Sequence, residues 1–225
     1  MVKAAVILSG CGYLDGAEIR ESALTLLALD QQAVEVQIFA PDIAQMHVVD
    51  HLAKTPIESS RNVLQEAARI ARSEVTALCA LDMKDFDLLV IPGGFGVAKN
   101  LSDLAIHGLE ASILPDFKRV IESAYAQKKP IAAICIAPAV LALALKNKNI
   151  TVTIGDDKAT AEMITASGNI HQNCASESCV IDDKNSIVTC SAYMREDRMS
   201  AIAQGIDACI RAAVAMAKHQ RKVAA

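Results

Sequence analysis

The stretch Pro130 to Ala139, PIAAICIAPA, leaves the backbone few choices. Ile131 to Ile134 is a short apolar run of the kind found in strands buried on both faces. It runs directly into Cys135. Pro138 then stands where the first turn of a helix accepts proline, because the N–H it lacks would have no partner there. Strand, cysteine and helix start together predict a nucleophile elbow. Ala133 and Ala137 flank the cysteine at the positions where a sharp strand-to-helix turn tolerates little bulk. The helix N-terminus beyond predicts a stabilised thiolate and a lowered thiol pKa. A free cysteine buried at the end of a strand is the competing reading.

Other stretches extend the pattern. Lys3 to Ser9 reads as a buried strand, followed by the loop Gly10 to Gly16 and a helix over Glu18 to Asp30 with Ile19, Ala23, Leu26 and Leu27 at helical spacing. Val34 to Ala40 is a second strand, giving one right-handed βαβ unit with parallel pairing. Ser59 or Ser60 is the expected cap of a helix running to about Arg72. Thr76 to Leu81, Phe86 to Pro92 and Ile150 to Ile154 read as further strands. Pro115 to Gln127, Ala137 to Leu145, Lys158 to Ala166 and Glu196 to Lys218 read as helices. Cys179 to Asp182 and Ser186 to Cys190 flank a hairpin turn. Aromatic residues are only 3% of a chain that is 52% hydrophobic, so Ala, Val, Ile and Leu must fill the core, as in layered α/β proteins. About six parallel-type strands with covering helices and an added β-hairpin predict an α/β fold: a three-layer, doubly wound, mainly parallel sheet. At 225 residues it is expected to be one domain, 1–225.

A net charge of -4 and a pI near 5.7 argue against a nucleic-acid or anionic-membrane surface. No apolar run in the sequence approaches the ~20 residues of a membrane span. The terminal KHQRK suits the last turn of a helix. Seven cysteines without regular spacing predict no disulfide framework and a reducing, cytoplasmic setting. Leu8-Ser9-Gly10-Cys11 imitates a lipoprotein cleavage site, but a first strand explains it better.

In doubly wound sheets, ligands bind at the carboxyl ends of the strands. The loops Gly10 to Glu21, Gly93 to Gly96 and Cys135 to Pro138 belong to that edge, bringing Cys11, Gly12 and Pro138 to one cleft. Backbone N–H groups of Gly93, Gly94 and Phe95, with that of Ile136, are candidates for an oxyanion hole. An ordinary tight turn would equally explain the glycines. Glu18 and Glu21 lie one turn apart at a helix start, where acids usually answer the dipole. One of them turned inward would be a protonated carboxyl beside the sulfur, fit to shuttle protons.

Three other readings carry less. Gly10, Gly12 and Gly16 with Asp42 imitate a dinucleotide fingerprint, but the loop is too long for a tight diphosphate turn. Cys174 and Cys179, with only His171 near, make a poor zinc site. Cys11 is placed to approach Cys135 as a redox partner. No Ser-His-Asp arrangement is evident, and no metal site is expected.

LLVIPGGFGVAKNLSD followed by KKPIAAICIAPA resembles the PfpI-like (class I glutamine amidotransferase-like) superfamily, which is flavodoxin-like in fold. Within it, SGCGYLDGAEIRES, IFAPD, RNVLQEAARIAR, CIAPA, IG and SAYM are similar to the ElbB subfamily, known as isoprenoid-biosynthesis or sigma-cross-reacting proteins and as glyoxalase-like. The resemblance implies Cys135 as nucleophile, and Glu21 as the cleft glutamate with Glu18 the second choice. It implies Gly94 and Ile136 as donors around the sulfur. It further implies a homodimer and a slow, glutathione-independent glyoxalase, a lyase-type activity without metal or organic cofactor. Its substrate would be glyoxal or a related small dicarbonyl or aldehyde. Proteases and glutaminases of the superfamily carry a histidine directly after the cysteine; here that residue is Ile136, which counts against amide hydrolysis. The alternative is a metabolite-binding or redox-sensing regulator, linked to isoprenoid metabolism, that uses a reactive Cys135.

Overall fold

The computed structural model describes residues 1–224. In chain order its elements are β1 (Lys3–Ile7), α1 (Ile19–Gln31), β2 (Glu35–Ala40), β3 (Val49–Asp50), β4 (Thr55–Pro56), α2 (Val63–Ala71), β5 (Val75–Ala77), β6 (Leu88–Ile91), α3 (Phe95–Lys99) and α4 (Leu104–His107). There follow α5 (Pro115–Ala126), β7 (Ile131–Ile134), α6 (Ala137–Ala144), β8 (Thr151–Val152), α7 (Lys158–Ala166), β9 (Ile170–His171), β10 (Val180–Asp182), β11 (Ile187–Cys190) and α8 (Met199–Ala224).

Side chains that alternate along a strand explain the layers. In β1, Ala5 and Ile7 enter one core with Phe117, Val120 and Ile121 of α5. Ala4 and Val6 enter the other, with Leu29 of α1 and Ile206 and Ile210 of α8. A strand buried on both faces must be apolar at every position, and β1, β6 and β7 are. The sheet runs β10-β11-β7-β6-β1-β2-β5. All its pairs are parallel except β10 with β11. The expected α/β fold is therefore observed. β7 lies between β6 and β11, with Ile131 opposite both Leu89 and Ile187, so its carboxyl end opens in the middle of the sheet edge.

Several boundaries depart from the sequence reading. Ile150 to Ile154 does not join the main sheet: only Thr151–Val152 is extended, in a separate parallel pair with Ile170–His171. The sixth parallel strand is instead β11, the second arm of the expected hairpin, which pairs with β7 on its other side. Local pattern cannot distinguish these cases, because β-branched runs suit either sheet. The cap of α2 is Asn62, whose side chain accepts the Gln65 N–H, rather than Ser59 or Ser60. Thr76 to Leu81 is extended only to Ala77 before turning into a 3-10 helix. Helix α8 is long and apolar enough to cross a membrane. Its apolar stripe of Ile202, Ile206, Cys209, Ile210, Ala213, Val214 and Ala217 is nevertheless buried within the fold, the pattern of an amphipathic core helix.

Candidate active site

Cys135 is the first residue after β7 and has φ +63°, a left-handed conformation that costs a non-glycine residue ~1–2 kcal/mol. Such strain persists only where neighbours over-determine it. Here the Cys135 N–H donates to the Cys190 carbonyl of β11 at 2.9 Å. Helix α6 starts two residues later, with buried Pro138 in its first turn. The elbow geometry read from the sequence is present.

Glu21 enters from α1 and is fully buried. Glu18 caps the helix, its carboxylate accepting the Glu21 N–H at 2.6 Å. That capping role keeps Glu18 off the sulfur and fixes the first turn so that Glu21, one turn on, faces the sheet. Glu21 Oε2 accepts the Gly93 N–H and Oε1 accepts the Tyr193 N–H, both at 3.1 Å. Its carboxyl also hydrogen-bonds to Cys135. The structure thus brings Glu21 to the sulfur and leaves Glu18 at the helix end.

The glycine loop explains how two buried groups come this close. A Cβ on Gly93 would lie 2.4 Å from Cys135 Cβ and 2.5 Å from Glu21 Oε2, so any side chain there must displace the pair. Gly94 has φ +101°, and its N–H turns toward the Cys135 sulfur, as does that of Ile136. The neighbouring loop holds this register: Glu18 N–H donates to Gly93 O, Phe95 N–H to Tyr13 O and Gly96 N–H to Gly16 O, all at 2.8–2.9 Å. Two expected oxyanion donors are thereby corrected. The Phe95 N–H is engaged by Tyr13 and the Gly93 N–H by Glu21. Gly94 and Ile136 alone of the four face the sulfur.

Electrostatics correct a further expectation. The Cys135 thiol is not acidic: burial, and then the charge of Glu21, push it well above its ordinary value, outweighing the Gly94 and Ile136 N–H groups. The helix start cannot offset removal from water. Burial likewise raises Glu21, to about 8, opposed by the Tyr193 N–H. At neutral pH the pair is therefore mainly a carboxyl beside a thiol, each holding its own proton, and the carboxyl is the first of the two to ionise as pH rises. Among the described residues, no histidine is among the groups that act on either.

Cys11 is half-buried, and the charges acting on it are those of Glu66, Arg69, Asp15 and Arg61, not Glu21 or Cys135. It is a free thiol, and neither member of the pair is among the groups that act on it. Gly12, at φ +129°, packs against His51, which reaches this loop from between β3 and β4. Asp15 Oδ2 accepts the Val49 N–H at 2.7 Å and ties the same segment down. Cys174 and Cys179 are also free thiols, and no group of three metal-ligating side chains occurs among the described residues.

Sequence reasoning missed Tyr193, whose backbone contact with Glu21 spans 172 positions and leaves no local signal. It also missed Asn100, which ties the loops together by donating to the carbonyls of Ser9 and Asp15.

A sequence model described as the DJ-1/PfpI family matches residues 13–203. The chain is 42% identical over 221 residues to the Homo sapiens protein named "Glutamine amidotransferase-like class 1 domain-containing protein 3, mitochondrial", covering 93% of this chain and 81% of that one. It is 40% identical over 219 residues to the Rattus norvegicus "ES1 protein homolog, mitochondrial", covering 93% and 82%. Among solved structures, an isoprenoid biosynthesis protein with an amidotransferase-like domain from Ehrlichia chaffeensis superposes with a TM-score of 0.91 at 44% identity, covering 96% of this chain and 99% of that one. The mitochondrial names of the curated relatives overturn the cytoplasmic expectation. Unpaired thiols indicate a reducing setting and cannot specify which compartment supplies it.

Proposed function

Because the chain belongs to the DJ-1/PfpI family, we propose that it is a cysteine-dependent enzyme that converts glyoxal or a related dicarbonyl to the hydroxy acid without glutathione. The observation that carries this reading is the buried Cys135–Glu21 pair, a thiol against a carboxyl raised to about 8, with no histidine among the groups that act on either. Amide hydrolysis must protonate a poor leaving group while activating sulfur and then water, work usually given to a histidine beside the cysteine. Dicarbonyl isomerisation expels no leaving group. It moves protons between neighbouring atoms, which one carboxyl can do.

In this mechanism Cys135 sulfur adds to the aldehyde carbon as its S–H proton passes through Glu21 to the carbonyl oxygen, giving a hemithioacetal. Glu21, as carboxylate, removes the carbon-bound proton and returns it to the adjacent carbon by way of an enediol. The product is a 2-hydroxy thioester, which water hydrolyses to the hydroxy acid and free Cys135. For glyoxal the balance is one dicarbonyl plus one water giving glycolic acid. The N–H groups of Gly94 and Ile136 are the donors placed to steady the oxygen of these adducts. The same reading takes the protein as a homodimer that needs no metal or organic cofactor. It also places the protein in the ElbB subfamily, supported by the 44% identity to the isoprenoid biosynthesis protein.

A redox-sensing role is less well supported, since a buried thiol with a raised pKa offers little thiolate to oxidants. The test of turnover is NMR of glyoxal incubated with the protein. Glycolate should accumulate, and kcat/KM should rise with pH through about 8 as Glu21 ionises. Glycolate formation absent at every pH would refute the reading.

A further inference from the structure

Arg20 stands in the first turn of α1, where the positive end of the helix dipole disfavours a cation. It is exposed and makes no salt bridge with any carboxylate among the described residues. Glu18, an acid whose charge acts on it, is occupied in capping the helix. Arg20 rests instead on Tyr193: Nη1 lies 3.4 Å from the phenol oxygen, and the guanidinium carbon lies 6.0 Å from the ring centroid. Tyr193 is also the residue whose N–H holds Glu21 Oε1. One residue thus carries the cleft glutamate on its backbone N–H and, at its phenol oxygen, a guanidinium with no carboxylate partner among the described residues. Contact with the phenol end of the ring steadies the guanidinium while leaving its remaining N–H groups free for a planar anion.

We propose that Arg20, steadied on Tyr193, is an anion-recognition subsite at the mouth of the Cys135–Glu21 site. It selects dicarbonyls that bear a carboxylate at the far end of a short carbon chain. This inference rests on the glyoxalase-type reading and names its substrate class. The reaction is unchanged: 4,5-dioxopentanoate takes up one water and gives 2-hydroxypentanedioate, releasing one proton, while the distal carboxylate stays on Arg20.

The experiment compares 4,5-dioxopentanoate with its methyl ester, which has the same reacting end and no charge. Wild type should prefer the acid about tenfold in kcat/KM, roughly what one charge-assisted hydrogen bond contributes. Arg20→Gln should abolish that preference by raising KM for the acid about tenfold. Arg20→Lys should restore part of it, and added salt should shrink it in wild type. Equal turnover of acid and ester by wild type, or a preference that survives in Arg20→Gln, overturns the inference and leaves the parent reading standing. Turnover of neither compound, nor of glyoxal, removes both.

Discussion

Replacing Cys135 by Ser should abolish glycolate formation from glyoxal, with a loss of at least about a thousandfold in kcat/KM, as expected when a covalent nucleophile is removed. A hydroxyl in the same place keeps the hydrogen bond to Glu21 and the left-handed backbone, so the variant should fold with little change in stability. Its pKa lies far above that of a thiol, and burial beside a carboxyl raises it further. The loss therefore belongs to chemistry. The control is within the chain: Cys11→Ser changes a half-buried thiol that is not influenced by Glu21 and should leave turnover intact. Wild-type turnover in Cys135→Ser would show that glyoxal is processed elsewhere.

The second large effect is expected at Glu21. Glu21→Gln should lower kcat/KM by roughly a hundredfold to ten-thousandfold, the range for loss of a general acid-base group. Its effect on stability changes sign with pH. Both carboxyl oxygens accept backbone N–H groups, from Gly93 and Tyr193. The amide nitrogen of Gln must face one of those donors, leaving a buried N–H unpaired at a cost of about 1–3 kcal/mol. Wild type carries a different penalty. A carboxyl whose folded-state pKa is raised contributes stability that is fully present below its unfolded value and is lost as pH rises toward the folded value. For Glu21 that window runs from the ordinary carboxyl range up to about 8, and the loss is on the order of 5 kcal/mol. Urea unfolding should therefore find Glu21→Gln less stable than wild type at about pH 5 and more stable above about pH 8. Parallel curves over that range would mean that Glu21 does not titrate as a buried acid.

What was legible in the sequence was legible because it is contiguous. Ile131 to Pro138 holds strand, nucleophile and helix start in one run, and local sterics decide its shape. Glu18 and Glu21 were visible as a pair, one turn apart, though only the cap geometry separates their roles. Phe95 and Gly93 do not serve as the oxyanion donors their loop suggests, because their partners, Tyr13 and Glu21, come from a loop and helix remote in sequence. The lowered thiol pKa expected of Cys135 fails for a related reason. A helix start is read locally, whereas desolvation depends on everything packed around the sulfur, including Val188 and Ala192 in the same core. Strand membership failed in the same way. Ile150 to Ile154 and Ile187 to Cys190 look alike as sequence, and only the second has β7 to pair with.

Cys135 and Glu21 titrate as one coupled pair, and the pH dependence of Cys135 alkylation by iodoacetamide tests this, followed on the Cys135 peptide by mass spectrometry in wild type and Glu21→Gln. In wild type the rate should keep climbing past pH 9, because burial and the Glu21 charge both oppose the thiolate. In Glu21→Gln the curve should move to lower pH, since the charge is gone and the burial is not. Superimposable curves for the two proteins would contradict the coupling and, with it, the mechanism built on the pair.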